Sequence, residues 1–334
     1  MAEAAAPPSS SSPSDPLPDT IFSPSRLVKR GWCTVANDKQ RAPAPHKLYY
    51  ELHGDDQPSS HRLVFTMGLN NSSFAWHHQV SHFAALEGYA VLVFDNRGVG
   101  WSDTPPGTYS TSEMAKDLEE LLDYVGWSEA KSLNVVGVSM GGMITQELAL
   151  LIPHRIRTLL LTSTQSGSRL TLPSWKAASM FLRLSSGTVR TPAAQIELVT
   201  NTLFPEAWLD EEVRDEGEFK GKKRREQVEA DFLRRYHIGR RQTPRGQLGQ
   251  MVAVLKHRVS TDRLAKLASS VPHVAIIHGT DDNLIHVDRA HELHKDLPGS
   301  RLKIVEKAGH ALPSQIKDEY NAWIQEHVER EEAA

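Results

Sequence analysis

The chain has 334 residues, a formal net charge of -3, one cysteine and sixteen histidines, a size that suits one large α/β core with an insertion or two modest domains. Its near-neutral balance offers no basic field, so nucleic acid and anionic membranes are not expected as partners. The lone thiol, Cys33, excludes an internal disulfide and is expected as small apolar filler on an early strand.

Residues 1–26 are rich in Ala, Pro and Ser, lack the charged start and apolar middle of a secretory leader, and are expected as a disordered tail. β-rich runs follow at 32–35, 47–52 and 62–65, and the linker from Gly54 to Ser60 suits an antiparallel turn between the last two. Beyond Phe65 apolar strands alternate with amphipathic helices: 76–86, 90–94, 112–125, 132–136, 140–151 and 156–161. That rhythm predicts a mostly parallel sheet covered on both faces. Ser110 and Glu113 have capping-box spacing for the helix over 112–125, whose apolar face is Met114, Leu118, Leu121, Leu122 and Val125. No clear apolar strand occurs from Gln165 to Leu267, so a helical cap over 165–268 is expected, inserted into a core formed by 27–164 and 269–330. Strands return at 274–277 and 302–305, with helices near 287–294 and 313–328. No apolar run is long enough to cross a bilayer, and a cytoplasmic protein is expected. Inside the cap, Glu211, Glu212, Asp215, Glu216 and Glu218 precede Lys220, Lys222, Lys223, Arg224 and Arg225, with arginines again at 234, 235, 240 and 241. Such blocks form an anionic-partner patch or nuclear signal, or else solvated faces whose opposite charges neutralise one another.

The chemistry-bearing stretch is the apolar run ending at Val138, which feeds directly into Ser139-Met140-Gly141-Gly142 and a helical pattern. A strand that turns at once into a helix strains the turn residue and brings its neighbours two before and two after together, where only small side chains fit. Gly137 and Gly141 hold those places, so Ser139 is expected as a nucleophile; an ordinary glycine-rich turn is the alternative, and the Gly-Lys-Ser/Thr ending of a phosphate loop is missing. A serine hydroxyl needs a base. His310 follows Ala308 and Gly309 just after the last strand, at the carboxyl edge where ligands bind in open α/β sheets. The pairs His78/His82 and His291/His294 have helical spacing but no third ligand, so no metal is expected. The carboxylate that fixes the imidazole tautomer is sought in residues 278–283, which offer Asp281 and Asp282. For the oxyanion, the Met140 N–H is one expected donor and the Leu69 N–H, beside Gly68 on the loop after the third strand, the other.

Met67-Gly68-Leu69, Phe94-Asp95-Asn96-Arg97-Gly98-Val99-Gly100-Trp101-Ser102, Gly137 to Met143, Gly279-Thr280-Asp281-Asp282 and Ala308-Gly309-His310 together resemble the α/β-hydrolase superfamily, across nearly all of 48–328. The resemblance implies the α/β-hydrolase fold and a triad in the chain order Ser139, Asp282, His310, with Asp282 favoured over Asp281 by its spacing from Gly279. The Ser-Met-Gly-Gly-Met elbow, Ile144-Thr145-Gln146 after it and the Asn-Arg-Gly turn look most like the branch of serine carboxylesterases, methylesterases and enol-lactone or aminoacrylate hydrolases. Many relatives carry a histidine before the oxyanion-loop glycine; Met67 stands there, as in methylesterase-like members. A serine at the elbow implies an acyl-enzyme, unlike the alkyl ester of epoxide hydrolases and haloalkane dehalogenases. The implied activity is cofactor-free cleavage of a carboxylic ester or thioester of a small-to-medium apolar substrate. C–C bond hydrolysis or a lyase reaction on the same triad, and a non-catalytic small-molecule receptor, are the alternatives. Trp175, Met180, Phe181 and Met251 are candidate pocket residues of the cap, with core packing of the cap as the alternative.

Overall fold

A computed structural model describes residues 17–37, 44–58, 60–167 and 175–330. Among them, β1 (Leu27–Val35), β2 (His46–Gly54), β3 (His61–Thr66), β4 (Tyr89–Phe94), β5 (Leu133–Val138), β6 (Ile156–Thr162), β7 (His273–Gly279) and β8 (Arg301–Val305) form one sheet in the order β1-β2-β4-β3-β5-β6-β7-β8. β1 and β2 run antiparallel to their neighbours, and every pairing from β4 to β8 is parallel. β4 and β5 are buried along their whole length, which is why they read as unbroken apolar runs rather than alternating ones.

The helices are α1 (His77–Phe83), α2 (Thr111–Tyr124), α3 (Met140–Leu151), α4 (Trp175–Ser185), α5 (Pro192–Leu203), α6 (Glu206–Leu209), α7 (Arg224–Ile238), α8 (Pro244–Lys256), α9 (Thr261–Ser270), α10 (Asp288–Asp296), α11 (Leu312–Gln315) and α12 (Lys317–Val328). Two apolar clusters cover the sheet. One joins Met114, Leu118, Leu121 and Leu122 of α2 to Ile144 and Leu148 of α3 and to Leu264 and Leu267 of α9. The other joins Val80 and Phe83 of α1 to Tyr320, Trp323 and Ile324 of α12. α2 starts as its sequence predicts, with the Glu113 N–H donating to the Ser110 hydroxyl at 3.2 Å. Cys33 is buried in the first cluster, and burial, followed by the charges of Glu120 and Asp117, pushes its thiol up to about 12. No helix of the described residues is long and apolar enough to cross a membrane.

The expected turn between β2 and β3 does not pair them. β2 lies against β4, with Tyr50 opposite Phe94 and Gly54 opposite Ala90, while β3 is bonded to β4 and β5. Leu63, Val64 and Phe65 are fully buried, and a strand covered on both faces belongs in the middle of a parallel sheet rather than in an edge hairpin. The expected helix over 76–86 begins as a 3-10 turn at Ser73–Trp76, and the last expected helix is broken at Ile316 into α11 and α12.

Disorder expected over 1–26 does not extend to 17–26; residues 1–16 lie outside the described set. Ile21 and Phe22 are buried, Phe22 meets the rings of Phe74 and His53 edge-on at 5.6 and 5.1 Å, and the Thr20 hydroxyl donates to Glu51 at 2.6 Å. Two adjacent apolar side chains and one hydroxyl anchor this segment, a local signal that average composition hides. Between β6 and β7 the described residues hold helices and only an isolated bridge, Glu212 to Lys223. α9 lies within the span expected as cap, yet Leu264 and Leu267 pack with α3 in the main core, because its apolar stripe needs cover that a solvent-facing cap helix lacks. The charge blocks of 211–225 pair with one another: Arg224 Nε lies 3.2 Å from Glu211, and Lys220 pairs with Glu216.

Candidate active site

β5 ends at Val138 and α3 begins at Met140, so Ser139 alone makes the turn, with φ 57° and ψ -122°. A Cβ on Gly137 would lie 2.6 Å from the Gly141 carbonyl oxygen, and one on Gly141 would strike the Thr66 carbonyl. The strain is held by hydrogen bonds: the Ser139 N–H donates to Thr162 O at 2.9 Å, and the Ser139 carbonyl accepts from the Thr164 hydroxyl at 2.7 Å and the Met143 N–H at 3.2 Å. Residues in such sparsely populated conformations persist only where their surroundings over-determine them. Met140 is the first residue of α3, a position whose N–H has no partner within a helix.

The loop after β3 lies against this elbow. A Cβ on Gly68 would come 3.1 Å from Ser139 Cβ and 3.2 Å from Val138 O, so no larger residue fits without displacing one or the other. The loop is pinned from two sides: Asn96 Nδ2 donates to Met67 O at 2.9 Å, and the Asn70 N–H donates to Gln250 Oε1, on α8, at 2.9 Å. Leu69, with Ser139, lines one wall of a cavity of about 1240 Å³.

Asp282 and His310 line the same cavity. His310 Nδ1–H donates to Asp282 Oδ2 at 2.7 Å, and His278 Nε2 lies 3.1 Å from the same oxygen. Asp282 Oδ1 accepts from the N–H groups of Leu284 and Ile285 at 2.8 and 2.9 Å. Burial alone would raise this carboxyl's pKa, but the His310 and His278 imidazoles reverse the effect and hold it well below the usual carboxylate range. An Nδ1–H committed to a carboxylate leaves Nε2 of His310 as the acceptor nitrogen, the form a general base requires. Asp281 is exposed and accepts instead from its neighbour's Thr280 hydroxyl at 2.9 Å. The loop carrying His310 is braced by α5, since the His310 N–H donates to Leu203 O, at the end of that helix, at 2.9 Å.

Of the four residues left between pocket lining and core packing, Met180 and Met251 line the cavity. Trp175 does not: its side chain is 86% exposed. The Phe181 side chain lies outside what is described. Of the histidine pairs, His78 is driven down to about 3 by burial and then by neighbouring His77, and among the described residues no cluster of three His, Cys, Asp or Glu could hold a metal. Sequence reasoning missed His278, Gln250 and the Leu203 carbonyl. His278, four residues before Asp282, could have been noticed by spacing; a backbone carbonyl and a helical glutamine of α8 carry no such signal.

The profile of a family described as the alpha/beta hydrolase fold matches residues 62–314. A protein of Azorhizobium caulinodans provisionally named the carbamate hydrolase RutD is 26% identical over 287 residues, 83% of this chain and 93% of its own length. Its counterpart in Cronobacter sakazakii is 30% identical over 76% of this chain and 85% of its own length. Among solved structures, an enol-lactonase from Burkholderia xenovorans superposes with a TM-score of 0.68 at 19% identity, covering 85% of this chain and 97% of the other. A thermophilic esterase from Thermogutta terrifontis gives the same TM-score at 19% identity, covering 89% and 97%.

Proposed function

The chain belongs to the alpha/beta hydrolase family of enzymes, and from that premise we propose that it is a serine hydrolase cleaving a carboxylic ester or thioester of a small-to-medium substrate. The observation that carries this reading is the buried His310–Asp282 hydrogen bond of 2.7 Å on the cavity that the strained Ser139 also lines. In the proposed reaction His310 Nε2 takes the Ser139 proton as Oγ attacks the acyl carbon, and the Leu69 and Met140 N–H groups receive the oxyanion. His310 then passes the proton to the departing alcohol or thiol, and a water that it activates hydrolyses the acyl-enzyme. Asp282 keeps the imidazole in the required tautomer and stabilises its positive charge. The apolar lining by Met143, Met180, Phe204 and Met251 suits a hydrocarbon acyl chain.

The test is intact-mass measurement after mixing the protein with activated acyl esters. An adduct of acyl mass on Ser139, with turnover and fluorophosphonate labelling both abolished by Ser139→Ala, is the expected result. Turnover that survives Ser139→Ala overturns the reading.

A further inference from the structure

The cavity wall has a charge that ester hydrolysis does not need. Six arginines line it, Arg190, Arg235, Arg240, Arg241, Arg258 and Arg289, against two aspartates, Asp282 and Asp288. Asp282 is committed to His310, and Asp288 lies 3.0 Å from His286. The whole chain carries a net charge of -3, so the positive wall is local. Three of these arginines come from the basic stretch around 234–241 that the sequence leaves without a task.

The six are not equivalent. Arg240 donates from Nε to Gly100 O at 2.7 Å and also to Ser102 O, and Arg258 donates to the carbonyls of Leu255 and His257, so both tie loops together. Arg289 pairs with Glu292 at 2.6 Å. Arg235, on α7, is different. Its side chain is 9% exposed, its guanidinium stacks on Phe232 at 4.4 Å, and it pairs with Asp231 at 3.1 Å through Nη2. Asp231 is shared, lying 3.4 Å from His77 Nε2, and Arg235 Nε is buried without a hydrogen-bond partner among the described residues. The ion pair with Asp231 leaves the Nε donor unmet, and a buried polar group without a partner costs free energy that a bound anion recovers. Packing against an aromatic face leaves the donor edge to take an anion, and the planar fork matches a carboxylate. Arg241, over Tyr236 at 4.6 Å, adds positive charge to the lining of the same cavity.

We propose that the substrate is an anionic ester: an apolar acyl chain that ends in a carboxylate, which Arg235 receives while the ester reaches Ser139. The proposal rests on the serine-hydrolase reading and deepens it by naming the acid half as a medium-length dicarboxylic hemiester or hemithioester. No additional reactant is needed; the distal carboxylate is bound, not transformed, and the bond broken is the one between the acyl carbon and the departing oxygen or sulfur.

The experiment compares mono-p-nitrophenyl adipate with p-nitrophenyl hexanoate, which have equal carbon number and differ in the terminal carboxylate. For the full chain, kcat/KM is expected to be about tenfold or more higher for the adipate at low salt, as for a charge-assisted hydrogen bond, with the advantage carried by KM and shrinking as salt rises. Arg235→Gln is expected to bring the ratio of the two kcat/KM values to about one, and Arg235→Lys, which keeps charge but not the fork, to an intermediate value. Equal kcat/KM for the two esters in the unaltered protein overturns the proposal, as does an advantage that persists in Arg235→Gln. If Arg235→Gln does not fold, an undiminished adipate advantage in Arg235→Lys overturns it and a reduced one supports it. Should neither ester turn over nor acylate Ser139, the hydrolase reading fails on its own. The charge inference is then decided by calorimetry on the unaltered protein: monomethyl adipate binding about tenfold or more tighter than methyl hexanoate supports it, and equal binding overturns it.

Discussion

At the scale of single residues, the informative comparison is between adjacent aspartates. Asp282 is buried, accepts from two backbone amides and holds the His310 ring, whereas Asp281 is exposed and bonded to Thr280. Asp282→Asn should therefore lower kcat by about 10⁴-fold, because an amide can present its N–H to Nδ1 and enforce the wrong tautomer. Asp281→Asn should change kcat by less than about threefold, as a solvent-facing polar swap. Steady-state rates on an activated ester check both, and a crippled Asp281→Asn beside an active Asp282→Asn would reverse the assignment. The depressed Asp282 pKa also has a direction in pH. Its ionised form is favoured by folding, so the stability it contributes is present above the unfolded value of about 3.9 and is lost only as pH falls through its lower folded value. An acid limb in activity at mildly acidic pH therefore belongs to another group.

At the scale of elements, α8, between β6 and β7, is tied to the loop after β3 through one side chain. Gln250 is fully buried, accepts the Asn70 N–H at 2.9 Å and donates to Arg97 O at 3.0 Å. It thus joins α8 to the loop against the elbow and to the loop after β4. Gln250→Ala leaves a buried donor and a buried acceptor unmet, at a cost of about 1–3 kcal/mol in stability. Because the Asn70 anchor adjoins Leu69, kcat should fall about 10- to 100-fold through a misplaced oxyanion donor. Urea unfolding and kcat on a neutral ester report the two effects separately. Lost stability with unchanged kcat would show that the loop holds its shape without α8.

At the scale of the whole molecule, three histidines far apart in the chain share one state. His78, His257 and His327 are pushed down to about 3, 3 and 4, chiefly by burial. They are neutral in the folded protein and take up protons in the unfolded chain below about pH 6.5. Folding stability is therefore full above that value and falls as pH drops toward 4, by at most about 1.4 kcal/mol per pH unit for each histidine. Thermal melting between pH 8 and 4.5 should give a Tm that is flat at the top and declines below about 6.5; a flat Tm throughout contradicts the neutral assignment. The same distinction between chain and fold separates what the sequence decides here from what it leaves open. Sequence alone determines the strand-helix alternation after Phe65, the glycines at 137 and 141 and the stretches around Ser139, Asp282 and His310, because each is a local pattern: a hydrophobic period, a steric exclusion, a loop position after a strand. It does not determine that β4 slips between β2 and β3, that Ile21 and Phe22 seal against the core, or that α9 serves the sheet. Nor does it show that Gln250 and the Leu203 carbonyl brace the site, or that Arg235 is walled into the cavity. Those depend on contacts between residues tens to hundreds of positions apart, whose energies exist only once the chain has folded and brought them within a few ångströms.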